Sequence, residues 1–227
     1  MAKTGERKAQ ILQTLAAMLE DPKGERITTA LLAARLEVSE AALYRHFSSK
    51  AQMFEGLIEF IEQTVFTLVN KIQAEEKDPM KQVEATVATL LGFAQKNPGM
   101  TRVLIGDALV NEDERLQARV NQLIDRLEAS LRQSARLAVS AGTLPADWDV
   151  NAYANAVIAF VIGTFLVDIL GPALNLPDVV QQLALTRHVG EPMLGTWDPG
   201  GLVACLVLAV GGLGLGAWGL RRRDVAA

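Results

Sequence analysis

Apolar residues recur at three- and four-residue steps through nearly every patterned stretch of the first 145 residues, and no stretch alternates long enough to make a strand. A chain patterned this way buries its apolar atoms as amphipathic helices, so the expected fold class is all-α. Ile11, Leu12, Leu15, Met18 and Leu19 form one stripe, closed by the turn residues Asp21-Pro22-Lys23-Gly24. Leu116, Val120, Leu123, Leu127 and Leu131 form another, read as core first and dimer contact second. Between them a long helix is expected from Ser49-Lys50-Ala51-Gln52, which has capping-box spacing, to a stop at Lys77-Asp78-Pro79. Further helices are expected from Met80 to Gln95, broken by Asn97-Pro98-Gly99, and from about Met100 to Val110.

The pattern in the first fifty residues is more specific. Thr28 or Thr29 can cap a short helix through Leu36, because a hydroxyl oxygen there accepts an otherwise unpaired backbone N–H. A break at Leu36-Glu37-Val38-Ser39 leads into a second short helix, Glu40 to Phe47, with Ser39 as its N-cap and Glu40 favourably placed against the helix dipole. Two short helices about a tight turn lay the second in the DNA major groove, where base edges present distinct donors and acceptors. Leu43 and Phe47, four apart, should pack inward, leaving Ala41, Ala42, Tyr44, Arg45 and His46 for the DNA side. The alanines suit thymine methyls, while Tyr44 and His46 suit phosphates or base edges. Lys50, opening the next helix, would hold a phosphate together with the free N–H groups there, and Thr28 and Thr29 offer similar chemistry. The plainer alternative is that these threonines and serines are caps alone.

The formal net charge of -4 argues against binding nucleic acid through bulk charge. Up to Lys50 the eight cations Lys3, Arg7, Lys8, Lys23, Arg26, Arg35, Arg45 and Lys50 face the six acids Glu6, Glu20, Asp21, Glu25, Glu37 and Glu40. That balance is weakly basic, so site-specific contacts must supply much of the affinity. Cys205, the single cysteine, excludes an internal disulfide and a cysteine-rich zinc site and fits a reducing compartment. No apolar h-region follows Met1-Ala2-Lys3, so no signal peptide is expected and the front half should stay in the cytoplasm. The two histidines, His46 and His188, assemble neither a metal triad nor a nucleophile system, so no enzyme, metal or cofactor is expected.

Ile27-Thr28-Thr29, Leu32-Ala33 and the run Val38-Ser39-Glu40-Ala41-Ala42-Leu43-Tyr44-Arg45-His46-Phe47 resemble the signature of the TetR family. Met53-Phe54, Leu57-Ile58-Glu59-Phe60-Ile61-Glu62, Leu91-Gly92-Phe93, Asn97-Pro98-Gly99-Met100-Thr101-Arg102 and Arg115 to Leu123 narrow it to the SlmA-type nucleoid occlusion factors, from about Arg7 to Phe160. The resemblance implies a cytoplasmic homodimer that binds palindromic double-stranded DNA and, when DNA-bound, antagonises assembly of the division GTPase FtsZ. It also implies a groove for the FtsZ C-terminal tail, in which Phe60, Gly92 and Asn97 match the family, Lys96 replaces an arginine and Leu68 replaces a basic residue. Arginine to lysine sacrifices bidentate geometry, and leucine offers no charge. Phe60 and Gly92 have an alternative in ordinary helix packing.

Beyond Gly142-Thr143-Leu144-Pro145 the composition changes. Val150 to Val167 and Pro199 to Leu220 are uncharged, and Arg221-Arg222-Arg223 follows the second. Each stretch is long enough to cross a bilayer, and a hairpin of 150–171 and 199–220 would return both termini to the cytoplasm, in keeping with the positive-inside rule; the alternative is that the first stretch is a buried dimerisation helix and the last a tail that does not fit the bundle. From about Ala159 onward the chain also resembles the carboxyl end of a bacterial ABC-type permease, through motifs such as Leu170-Gly171-Pro172 and Trp197-Asp198-Pro199, which suggests a chimera. The expected organisation is therefore a helix-turn-helix domain over 1–50, a helical body over 51–145 and an apolar helical tail over 146–227 with membrane contact. Two readings stand beside the nucleoid occlusion factor: a TetR-type ligand-responsive repressor, and a membrane-anchored chimera.

Overall fold

The computed structural model describes residues 4–21 and 27–175, and among these every regular element is a helix. A three-helix head comprises α1 (Thr4–Met18), α2 (Thr29–Arg35) and α3 (Glu40–Tyr44). The body comprises α4 (Lys50–Glu75), α5 (Pro79–Lys96), α6 (Pro98–Leu104), a 3₁₀ turn (Asp107–Leu109), α7 (Glu114–Ser140) and α8 (Val150–Ala173). Each start has a local cause. Asp78 accepts from the N–H groups of Met80 at 2.9 Å and Lys81 at 3.4 Å, and Pro79 at the first position of α5 has no N–H to satisfy. Asp113 caps α7 and is hydrogen-bonded by Arg115, which holds its carboxyl down at about 2.

Helix α7 presents its expected stripe, Leu116, Val120, Leu123, Leu127 and Leu131, wholly to the interior, packed against α4, α5 and α8. The stripe is core, as its width of three to four residues per two turns requires. A buried polar bridge crosses this interior: Ser134 donates to Gln82 at 2.9 Å, and the Gln82 amide donates to the Glu76 carbonyl at 2.8 Å. It thereby satisfies the C-terminal end of α4.

Two expected boundaries move, and one expected cap closes differently. Helix α3 ends at Tyr44 rather than Phe47, and a turn carries Phe47 back to the core. The segment from 100 to 110 is not one helix, because α6 stops at Leu104 and the chain reverses at Gly106, whose φ of 80° suits only glycine without strain. Ser49 caps α4 through the Gln52 N–H at 3.1 Å, but the Gln52 side chain reaches back to the N–H of Ser48 rather than Ser49.

The largest correction concerns the tail. Residues 150–171 are long and apolar enough to cross a membrane, yet Ala154, Ile158, Val161, Phe165 and Ile169 recur at three- and four-residue steps and are buried, and α8 packs on α7. The first leg of the expected hairpin is thus a bundle helix. The second leg, 199–220, and the permease-like motifs beyond 175 lie outside the described residues.

The head meets the body where α1 crosses α6. A Cβ on Gly99 would lie 2.0 Å from the backbone carbonyl oxygen of Ala16, which cannot yield as a flexible side chain would. Gly99→Ala is therefore expected to destabilise the full chain by about 2 to 3 kcal/mol, the cost of a forced clash in a packed contact. Gly92→Ala, whose added Cβ meets nothing within 4 Å, should be neutral or stabilising by up to about 1 kcal/mol through helix propensity. Urea unfolding midpoints of the two variants check both signs.

Candidate nucleic-acid interface

Helices α2 and α3 begin in the same way. Thr28 accepts from the Leu31 N–H at 3.1 Å and Ser39 from the Ala42 N–H at 3.3 Å, each from an extended backbone. As caps, both hydroxyls use only an oxygen lone pair, so their protons stay available to a phosphate. Capping and phosphate contact are therefore compatible at Thr28 and Ser39. The turn between the helices puts Glu37 at φ 54°, a left-handed conformation that costs a non-glycine residue about 1 to 2 kcal/mol.

Helix α3 divides as its spacing demands. Leu43 and Phe47 are buried, Ala41, Tyr44 and Arg45 are exposed, and Ala42 and His46 are half-buried. Nδ1 of His46 is buried without a hydrogen-bond partner, so only part of that ring remains for DNA. The exposed Tyr44, a large ring left 45% accessible on a short helix, is the unusual surface feature here.

Two expected contacts are already engaged within the protein. Thr29 donates its hydroxyl proton to the Glu40 carboxylate at 2.6 Å and accepts from the Tyr44 hydroxyl at 3.5 Å. This chain pins the first residues of α2 and α3 together and points Tyr44 along the face, so in this state Thr29 orients its neighbours rather than donating to a phosphate. Lys50 is ion-paired with Glu112, which precedes α7, and its ammonium lies 5.6 Å from the centre of the Phe54 ring. Sequence reasoning placed Glu40 only as a helix-end charge and overlooked Glu112. With 62 residues between Lys50 and Glu112, no local pattern could have joined them.

The residues expected to hold a partner tail lie on α4, on α5 and at its end, and these two helices pack together. Phe60 and Leu68, two turns apart on α4, are 38% and 40% exposed, so Phe60 is not consumed by core packing. The space above Gly92 is open, Lys96 is exposed, and Asn97 donates to the Phe93 carbonyl at 2.8 Å as the cap of α5. Among the described residues no cluster of His, Cys, Asp and Glu is arranged to hold a metal.

Comparison with known proteins decides between the candidate families. The profile of bacterial regulatory proteins of the tetR family matches residues 23–57, and the SlmA-like profile, a tetracyclin repressor-like C-terminal domain, matches 77–170. The nucleoid occlusion factor SlmA of Alteromonas mediterranea is 61% identical over 130 residues, 57% of this chain and 67% of that one. That of a Marinomonas species is 52% identical over 162 residues, 71% of this chain and 82% of that one. The chain belongs to the SlmA nucleoid occlusion factors. Its fold is that of TetR regulators generally: a TetR transcription regulator from Haloarcula marismortui superposes with a TM-score of 0.65 at 15% identity, over 79% of this chain and 95% of that one. As a SlmA-type protein it is a DNA-binding regulator and not an enzyme. The SlmA-like match extends to residue 170, past the point near Ala159 where a foreign origin was expected, so α8 is SlmA-like through nearly its whole length.

Ser39→Ala removes the cap of a five-residue helix that has few hydrogen bonds of its own. It is expected to lower stability by about 1 kcal/mol, as loss of an N-cap does. Urea unfolding of the full chain measures it, and an unchanged midpoint would mean that α3 does not rely on this bond.

Proposed function

We propose that this SlmA-type protein binds a palindromic chromosomal site as a homodimer and, while bound, antagonises assembly of the division GTPase FtsZ over the nucleoid. The observation that carries the DNA half is the division of α3, with Leu43 and Phe47 inside and Ala41, Tyr44 and Arg45 outside, between two helix starts whose hydroxyl caps keep a free proton. On this reading Thr28, Ser39 and Lys50 position the backbone, with Thr29 acting through Tyr44. Ala41, Ala42, Tyr44, Arg45 and His46 meet base edges and the adjoining phosphates.

A palindrome requires two heads related by a two-fold axis. The outward side of α8 supports a second copy there: Ala152, Ala156, Ala159, Phe160 and Leu166 are exposed on the face opposite the buried stripe. For FtsZ, the supporting features are exposed Phe60 and Leu68 on α4 with open Gly92 and exposed Lys96 on the neighbouring α5. Leu68 supplies apolar surface in place of a charge, so tail binding here leans on apolar contact more than on ion pairing.

Selection from a random duplex pool with the full chain should recover a palindrome. Tyr44→Ala should weaken that duplex by about tenfold or more while leaving non-specific binding nearly unchanged, because a base-edge contact carries about 1 to 3 kcal/mol of discrimination. Sedimentation of FtsZ polymers with the protein and the selected duplex tests the second half. Polymer loss that requires the duplex, reduced about tenfold by Phe60→Ala as for a central apolar anchor, is the expected result. Intact polymers at saturating duplex would remove FtsZ from the reading and leave the DNA half standing.

A further inference from the structure

The Lys50–Glu112 pair joins a residue at the DNA end of α4 to the connection before α7. Its carboxylate is presented by a built turn. The Glu112 N–H donates to the Leu109 carbonyl at 3.0 Å, Asn111 takes a left-handed φ of 67°, and the 3₁₀ turn before it follows Gly106. The same short segment grips the head a second time: Arg102 donates to the carbonyls of Leu19 at 2.9 Å and Asp21 at 3.0 Å, at the end of α1, and is itself held by Asp107. Residues 102–112 thus form a strap fixed to the end of α1 and to the start of α4 just past the head, and at the second point it holds an anion against the ammonium that a phosphate would use.

We infer that Glu112 is an intramolecular competitor for DNA phosphate at Lys50, so that the body itself sets how tightly the head grips the duplex. The inference rests on the DNA reading given above. The side chain of Glu112 is 14% exposed and that of Lys50 25%, so the pair is less screened than a surface pair. A phosphate reaching Lys50 must either displace this carboxylate or sit beside a like charge. Either way, the protein gives up an internal ion pair for each head that docks. In a dimer two such exchanges accompany one binding event, and each releases the strap's hold on α4.

The test uses the full chain and the palindromic duplex obtained by selection. Glu112→Gln, which keeps the side-chain shape and removes the charge, is expected to bind about tenfold tighter at low salt. Its plot of log K against log salt should be steeper by about one per protomer, because one more cation per head is free to neutralise a phosphate. In a Lys50→Met background the same substitution should change neither quantity. Should Gln loosen the turn, as a lowered unfolding midpoint would reveal, Glu112→Asp keeps the charge but shortens its reach and should shift both quantities the same way by less. A Glu112→Gln protein that folds and binds the palindrome no tighter than the parent, or more weakly, overturns the inference. A parent chain that shows no preference for any palindrome would instead bring down the DNA reading, and the competition with it.

Discussion

One continuous helix carries both the head and the body. Met53, Phe54, Leu57 and Ile58 near the start of α4 are buried, and so are Ile61, Val65, Phe66 and Val69 further along. Helix α1 packs on α4 in the head, while α5 and α7 pack on it in the body. At 26 residues it spans about 39 Å. The aromatic ring of Phe47, at the end of the recognition unit, lies 3.0 Å from the position a Cβ on Gly56 would occupy, so α4 also sets the distance of the reading unit. The head cannot tilt without disturbing a core row that serves the whole protein, and this is the route by which the proposed body contact would bear on DNA.

That single spine changes the electrostatic problem. A net charge of -4 on the chain leaves little long-range attraction for DNA, and the structure sets acids against two of the residues proposed to meet it. Glu40 accepts the hydrogen bond of the Thr29 hydroxyl, and Glu112 pairs with the ammonium of Lys50. Both bonds lower the charge and donor capacity offered to a phosphate in the free state, and both fix geometry in exchange. An interface built this way gains more from correct placement than from charge. On the proposed DNA reading, such an interface would favour one sequence over bulk DNA, since non-specific affinity is almost entirely phosphate neutralisation.

What was legible in the sequence followed the range of the interaction responsible. The caps Thr28, Ser39 and Ser49 each accept from an N–H three residues on, and the α7 stripe repeats on one helix, so periodicity and turn chemistry located them. The inward pair Leu43 and Phe47 followed from a four-residue step even though α3 ends before Phe47. The family, and with it the regulatory role, was legible because the run from Val38 to Phe47 carries capping, packing and exposed groups in a fixed order. The ties made by Lys50 to Glu112 and Arg102 to Leu19 span 62 and 83 residues, and nothing in either local sequence marks the partner. The early stop of α6 comes at Gly106, whose left-handed φ of 80° ends the run that helical spacing alone would carry on to Val110.

Helix α8 is ambiguous in the sequence for a different physical reason. Its apolar residues run nearly all the way round, so periodicity has no polar face against which to register, and length alone favours a bilayer. A helix apolar on all sides must be covered on all sides, but lipid is only one way to cover it. The stripe from Ala154 to Ile169 is taken by the bundle, which leaves the side bearing Phe160 and Leu166. That side also carries Asn151 and Asn155, whose amides are poorly suited to hydrocarbon; Asn155 turns back to the Asn151 carbonyl at 3.1 Å. Small alanines between the large residues admit close approach of another helix, while the asparagines tolerate the wet rim of a protein interface. On the proposed homodimer a second copy of the same face would meet both demands with one surface, about the two-fold axis that a palindrome imposes on whatever reads it.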